Sequence, residues 1–174
     1  MIIILTAFSV TAYAAGMEVP ANLQVALFYK IFDFDQSLME SADSQITIGI
    51  YYDPSIPESN QAKNEIEGNF VKLSDKKIGD KSVVIREITD IGDLHDINIV
   101  YVTPGLDLSI SAIIAKCNSY KILGISGVEA YVQAGLAIAI ELNDQKPQII
   151  INKSGAQLSG VKLSSKILAL AKIL

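Results

Sequence analysis

Ile97-Asn98-Ile99-Val100-Tyr101-Val102-Thr103 indicates the fold, because this stretch is β-branched, nearly continuous in apolar residues and closed by Pro104-Gly105. A strand that is apolar on both faces is typical of a parallel sheet covered by helices on either side. The Pro-Gly pair that follows is a strong signal for a break in regular structure. The stretch therefore predicts a central, doubly covered strand.

The segments on either side alternate between helix and strand patterns. Those before the central strand predict a helix over 19–34, a strand over 46–52, a helix over 58–73 and a strand over 82–88. Those after it predict a helix over 108–118, a strand over 121–126, a short helix over 128–134, strands over 136–142 and 148–152, and a closing helix over 164–173. The last two strands flank a short polar turn, which indicates an antiparallel hairpin. The chain of 174 residues is thus predicted to be a single α/β domain. Its architecture would be a three-layer α/β/α sandwich whose sheet is mainly parallel, with an antiparallel C-terminal hairpin.

The predicted closing helix is apolar almost all round, which leaves two interpretations. It either packs deeply against the sheet or forms part of an interface, with a second copy of the chain in a homodimer or with another protein. We expect Leu170 in this helix to be buried, because a terminal helix usually needs docking to stay ordered.

Residues 1–15 carry no charge, and their apolar run leads into Ala12-Tyr13-Ala14, a sequence shaped like a signal-peptidase site. This pattern predicts a secretory signal peptide over 1–15, cleaved after Ala14 or Ala15, and an exported, periplasmic domain over 16–174. No Lys or Arg precedes the apolar run. The alternative is that residues 2–5 form a first buried strand of a cytosolic protein.

Composition and charge narrow the function classes. The chain is 50% hydrophobic and 19% charged with a net charge of −5, so it is a folded protein rather than a disordered one. An acidic balance with scattered lysines argues against nucleic acid and against a polybasic membrane anchor. Cys117 is the only cysteine, which excludes an internal disulfide. Its apolar, helical surroundings predict a small buried hydrophobe rather than a reactive thiol.

The carboxyl ends of the predicted strands are where a doubly wound sheet would bind a ligand. They hold Asp53-Pro54-Ser55, Thr103-Pro104-Gly105 and Ser126-Gly127, and none carries a dinucleotide-binding or phosphate-binding glycine motif. The nucleophile motif G-x-S-x-G fails at Ser126, because its second glycine comes one residue early. His95, the only histidine, precedes the central strand, and nothing in the spacing pairs it with Ser126.

Metal sites are equally unsupported. One His and one Cys cannot build a zinc site by themselves. Asp33-x-Asp35 begins like a calcium loop, but Leu38 stands where glycine is needed and Ser44 where glutamate is needed, so these acids are predicted to be a solvated helix end. We therefore predict no catalytic, cofactor-binding or metal-binding residue, and a non-enzymatic protein is favoured over an unrecognised enzyme.

The carboxyl-terminal third resembles the closing signature of the YfiR-like periplasmic family. Members of that family end with a strand finishing in Asn, a short helix and a G-L-K-[IL]-S-S-[KR]-L-L-x-L-A segment. The matching positions here are Asn152, Ala156, Gly160-Val161-Lys162-Leu163-Ser164-Ser165-Lys166, Leu168 and Leu170-Ala171. Earlier pieces, such as Val25-Ala26-Leu27-Phe28-Tyr29 in the first helix, extend the resemblance over residues 23–174. Two departures are Gln36-Ser37-Leu38 in place of a Trp-Pro and Ile97 in place of a cysteine, so the family's disulfides are missing here.

The resemblance implies a regulator that binds the periplasmic domain of an inner-membrane diguanylate cyclase or sensor kinase, as in YfiR-like repression of cyclic-di-GMP signalling. From the residues alone, a periplasmic small-ligand-binding module using the loops at Asp53, Thr103 and Ser126 remains the alternative. The partner-binding surface is not predicted. Tyrosines are candidates by residue type only, and most of them are expected in the core. They are Tyr29, Tyr51, Tyr52, Tyr101, Tyr120 and Tyr131.

Overall fold

The computed structural model describes residues 18–174, and the predicted signal peptide over 1–15 lies outside this range. The helices are α1 (Ala21–Phe32), α2 (Gln36–Glu40), α3 (Pro57–Lys72), α4 (Ile110–Tyr120), α5 (Glu129–Gln133), α6 (Lys153–Leu158) and α7 (Ser165–Leu168). The strands are β1 (Gln45–Tyr51), β2 (Ser82–Ile88), β3 (Ile99–Val102), β4 (Leu123–Ser126), β5 (Ile138–Asn143), β6 (Lys146–Ile151) and β7 (Lys172–Ile173). A 3₁₀ helix over Ile91–Asp96 precedes β3.

The strands form one sheet in the order β2-β1-β3-β4-β5-β6-β7. Neighbours from β2 to β5 are parallel, β6 is antiparallel to β5, and β7 runs parallel to β6. All four residues of β3 are buried, as its apolar sequence predicted. The predicted α/β fold with a mainly parallel sheet and an antiparallel C-terminal hairpin is therefore confirmed.

Two apolar clusters, one on each face of the sheet, make the three layers. On one face α1 and α3 cover the strands, and their aromatic rings pack on β3 with Phe28 edge-on to Tyr101 at 6.1 Å. On the other face α4, α5 and the 3₁₀ helix cover a cluster that contains Cys117 and Tyr131. Tyr29, Tyr51, Tyr101 and Tyr131 are buried, as expected of core tyrosines. Tyr52 is half-buried, and Tyr120 is 42% exposed.

The turn between β5 and β6 matches the predicted hairpin and has a simple geometry. Its two central residues, Asp144 and Gln145, both adopt positive φ angles, of 49° and 62°. Two-residue turns of this handedness fit the right-handed twist of the strands that they join. The turn thereby brings β6 back along β5 with Ile140 opposite Ile149.

The prediction of a closing helix over 164–173 is wrong, because the chain forms the single helical turn α7 and then the strand β7. The edge of β6 explains the difference. It offers unpaired backbone groups, and the amide of Leu174 donates to the carbonyl of Ile151 at 2.9 Å. A helix of about ten residues is marginal on its own, so strand pairing prevails. The predicted burial of Leu170 is also wrong, since its side chain is 72% exposed, whereas Ile167 is 2% exposed.

Candidate functional site

The parallel sheet brings the predicted loops to one edge. β1, β3 and β4 are neighbours and run in the same direction, so the loops that begin at Asp53, Thr103 and Ser126 meet at their carboxyl ends. The chain reverses its direction of travel across the sheet between β1 and β3. This is the point at which sheets of this type form a ligand crevice.

The hydroxyl groups at this edge are committed to internal hydrogen bonds. Thr103 Oγ1 donates to the carbonyl of Tyr51 at 3.0 Å and lies 2.6 Å from Ser59 Oγ. Because the proton of Thr103 goes to that carbonyl, Ser59 must donate to Thr103, and Ser59 in turn accepts from the amide of Asp53 at 2.9 Å. Ser59 and Thr103 are fully buried. The chain of bonds ties the start of α3 to β1 and β3 and leaves neither hydroxyl free for a ligand.

Ser126 is likewise a structural residue. Its hydroxyl donates to the carbonyl of Val102 at 2.8 Å and accepts from the amide of Val128 at 3.1 Å. His95 lies in the 3₁₀ helix beside the amino ends of the strands, exposed, with Nδ1 2.9 Å from the carbonyl of Gly92. The structure therefore places Ser126 at the carboxyl ends of the strands and His95 at their amino ends, so the two residues do not form a Ser-His pair.

A buried glutamine packs against the Ser126-Gly127 turn. The sequence analysis did not single it out. Gln24 on α1 is fully buried, donates to the carbonyl of Val19 at 2.7 Å and accepts from Tyr101 Oη at 3.0 Å. A Cβ atom on Gly127 would lie only 2.6 Å from Gln24 Oε1, so any larger residue at this position would require the buried amide of Gln24 to move. Burial raises the pKa of the Tyr101 hydroxyl, which remains a neutral donor.

One acidic group at this edge is left partly unpaired. Glu58, in the first turn of α3, faces Gly105, and its Oε1 atom is buried without a hydrogen-bond partner among the described residues. Nearby, Tyr131 Oη accepts from the amide of Leu106 at 2.8 Å, and burial raises the pKa of Tyr131 to about 12. A single carboxylate oxygen can accept a hydrogen bond from a ligand.

Asp35 is not the solvated residue that the sequence predicted. It is fully buried and caps α2, where Oδ1 accepts from the amide of Ser37 at 2.9 Å and from the amide of Lys162 at 3.3 Å. This bond ties the end of α1 to the C-terminal segment. Asp35 Oδ2 has no hydrogen-bond partner among the described residues, and Asp33 remains exposed.

No group of three or more potential metal ligands occurs among residues 18–174. Cys117 is 2% exposed on the face of α4 that packs against the sheet, and burial raises its pKa to about 12. The thiol is therefore protonated at physiological pH and is a poor nucleophile. These two observations agree with the prediction of a buried, unreactive cysteine.

Solved structures with a similar fold include three larger proteins. A conserved domain protein from Vibrio cholerae aligns with a TM-score of 0.63 at 15% identity, over 88% of this chain. A domain from Streptococcus pneumoniae, solved in complex with L-Trp, aligns with a TM-score of 0.61 at 15% identity over 89%. A ligand-free, open substrate binding protein with adhesive properties from Clostridium difficile aligns with a TM-score of 0.63 at 16% identity over 90%.

This chain spans only 60% of the length of each of those structures, and at such identities the likeness shows the fold alone. No curated protein sequence matches the chain. None of the helices between residues 18 and 174 is long and apolar enough to cross a bilayer. The family model described as YfiR/HmsC-like matches residues 21–172, which is nearly the whole described domain. The chain therefore belongs to the YfiR/HmsC-like family, as its closing signature indicated.

Proposed function

We propose that this protein is a non-enzymatic periplasmic regulator that binds the periplasmic part of an inner-membrane signalling protein. In its most specific form, the proposal is repression of a diguanylate cyclase and thus a lowering of cyclic-di-GMP output. The observation that carries it is the family match over residues 21–172, because regulation is what the resemblance implies.

The geometry at the carboxyl ends of the strands supports a non-catalytic role. The hydroxyls of Ser59, Thr103 and Ser126 are engaged in internal bonds, and His95 lies at the opposite edge of the sheet. General acid–base or nucleophilic catalysis needs a nucleophile and a base within hydrogen-bond reach of each other. None of these three hydroxyls lies within reach of His95, and the contact of Ser55 Oγ with Asp53 Oδ1 at 2.6 Å closes a turn inside one exposed loop, where the amide of Ser55 also donates to Asp53.

Export is part of the proposal. An uncharged run over residues 1–15 followed by small residues is typical of a secretory signal. Amino-terminal sequencing of the protein from a periplasmic fraction should then begin at Ala15 or Gly16. Recovery of the chain with Met1 intact from cytosol would contradict export.

The partner can be tested by capture from membranes. The mature chain, tagged and purified, is cross-linked to detergent-solubilised inner membranes, and the captured proteins are identified by mass spectrometry. We expect an integral membrane signalling protein with a periplasmic domain to be enriched over a control with an unrelated exported protein. Enrichment of soluble proteins alone would contradict the proposal.

A small-ligand-binding module is the second candidate, and Glu58 is the observation that favours it. Its buried, unpaired oxygen lies at the point where related sheets bind ligands, and two proteins of similar fold are described as a complex with L-Trp and as a substrate binding protein. A thermal-shift screen of amino acids, whose ammonium group can donate to Glu58, and of small cationic metabolites tests it. A ligand that stabilises the wild-type chain but not the Glu58→Gln variant would favour this function.

A further inference from the structure

Charge is distributed unevenly along this acidic protein. The last thirty residues, 145–174, hold five lysines and no Asp or Glu, whereas the other 144 residues hold nine Lys and Arg against nineteen Asp and Glu. The lysines are spaced widely in sequence, but β6 and β7 are neighbours at one side of the sheet, and residues of β6, α6 and α7 line one shared groove. The protein therefore carries a cationic region on an anionic body.

Three of these lysines have no acidic partner among residues 18–174. Lys162 lies 2.9 Å from Glu40, and Lys172 lies 2.9 Å from Glu129, so these two are neutralised within the fold. The unpaired and exposed ones are Lys146, Lys153 and Lys166. Their positive charge is available to another molecule.

Apolar side chains are exposed in the same segment. Leu170 is 72% exposed, Leu174 44% and Ile173 43%. Beside them is a groove of about 270 Å³ with mainly apolar walls and two lysines. The groove is lined by Ile151, Lys153, Ala156, Gln157, Val161, Lys162, Leu163 and Leu168. Exposed apolar residues next to a concave apolar groove are typical of a protein-binding site.

The backbone of β7 adds an open sheet edge. Among residues 18–174, β7 is the outermost strand on this side of the sheet, and Leu174 is bonded to β6 through its amide. Residues of a strand point their backbone groups alternately to the two sides, so Ile173 turns its amide and carbonyl away from β6. An unpaired edge of this kind accepts an extended segment by strand addition.

We propose that these features form the surface with which the protein binds its partner, and that the partner presents an extended, acidic peptide segment with apolar side chains. This surface, called the C-terminal surface, comprises Lys146, Lys153, Lys166, Leu168, Leu170 and Ile173. The inference rests on the proposed function and names the contact site and the chemistry of the partner. Charge complementarity selects an acidic segment, and the concave groove selects a peptide, since a flat bilayer surface cannot fill it.

The test is a titration of the full mature chain with synthetic peptides of about eight residues, followed by amide chemical shifts. A peptide of alternating Glu and Leu should bind and shift the amides of Lys153, Lys166 and Ile173. Peptides with Lys in place of Glu, or Ser in place of Leu, should bind at least about tenfold more weakly. Binding should also weaken as salt is raised, because the lysines are exposed.

Matched variants locate the site. Lys153→Glu combined with Lys166→Glu should weaken binding of the Glu-Leu peptide roughly tenfold or more, whereas Lys30→Glu combined with Lys77→Glu, which keeps the same net charge change, should not. Leu170→Asp should weaken it, and Val71→Asp, at another exposed apolar side chain, should leave it unchanged. Circular dichroism verifies that each variant is folded.

Several results would overturn the inference. They are equal binding of the Lys-Leu peptide, equal loss of binding in the control variants, or binding of vesicles containing phosphatidylglycerol in place of the peptide. The membrane capture separates the two proposals. If the C-terminal variants capture the same signalling protein as the wild type, the surface is wrong and the proposed function stands. If the wild type binds the acidic peptide but captures no signalling protein, the proposed function is wrong.

Discussion

Ile167 lies in α7 and Leu170 in the turn that follows it, and their opposite burial gives a sharp stability test. Ile167→Ala removes three carbons from a side chain that is 2% exposed, where each buried CH₂ contributes about 0.8 kcal/mol. With the cavity that remains, we expect a loss of about 2–4 kcal/mol in the free energy of unfolding. Leu170 is 72% exposed, so Leu170→Ala should change it by less than about 0.5 kcal/mol.

Urea unfolding of the two variants, monitored by circular dichroism, measures both changes. With a slope of about 2 kcal/mol per molar urea, Ile167→Ala should lower the midpoint by about 1–2 M and Leu170→Ala by less than about 0.3 M. The wild-type slope serves as the control, since an altered slope would signal a change other than lost packing. Equal losses in the two variants would refute the reasoning, because they would mean that Leu170 is buried in solution.

Three further outcomes follow from individual contacts. Gly127→Ala should destabilise the domain by about 1–3 kcal/mol, because the new methyl group would overlap Gln24; no loss in this variant would contradict the contact. Gln24→Ala removes two buried hydrogen bonds and is itself destabilising, so the double variant should lose less than the sum of the two single losses. Cys117 should resist a thiol reagent at pH 8 in the native protein and react once urea unfolds it, since burial raises its pKa to about 12; rapid native labelling would show an accessible thiol. The hydrogen bond from Lys63 lowers the pKa of Glu87, so its contribution to stability is present above pH 4.5 and is lost as pH falls through the lowered value. In Lys63→Met, the free energy of unfolding should therefore fall less steeply as the pH is lowered, with a total difference from the wild type of less than about 1 kcal/mol. An unchanged pH profile of the free energy of unfolding would count against the pair.

Much of the sheet could be predicted because its signals are local. The strand predicted over 82–88 coincides with β2, and the buried run at 97–103 contains β3, since β-branched apolar runs between turn residues specify strands directly. The hairpin could be predicted equally well, because four polar residues between two apolar runs leave few other ways to connect the strands. These elements also fix the position of the three predicted loops at one edge of the sheet.

The parts that could not be predicted depend on contacts between distant residues. The apolar pattern of residues 164–173 fits a helix locally, and only the open edge of β6 turns its end into β7. The burial of Asp35 depends on the amide of Lys162, 127 residues away. Gln24 pairs with Tyr101, 77 residues away, and a lone glutamine on a helix gives no sign of such a partner.

The measurement that tests repression most directly is the intracellular cyclic-di-GMP concentration in cells that lack the gene. We expect the concentration to rise on deletion and to return to the wild-type value when the full chain is restored. The chain without residues 1–15 should not restore it, because that form would remain in the cytoplasm. An unchanged concentration on deletion, or full restoration by the form without residues 1–15, would contradict a periplasmic repressor of a diguanylate cyclase.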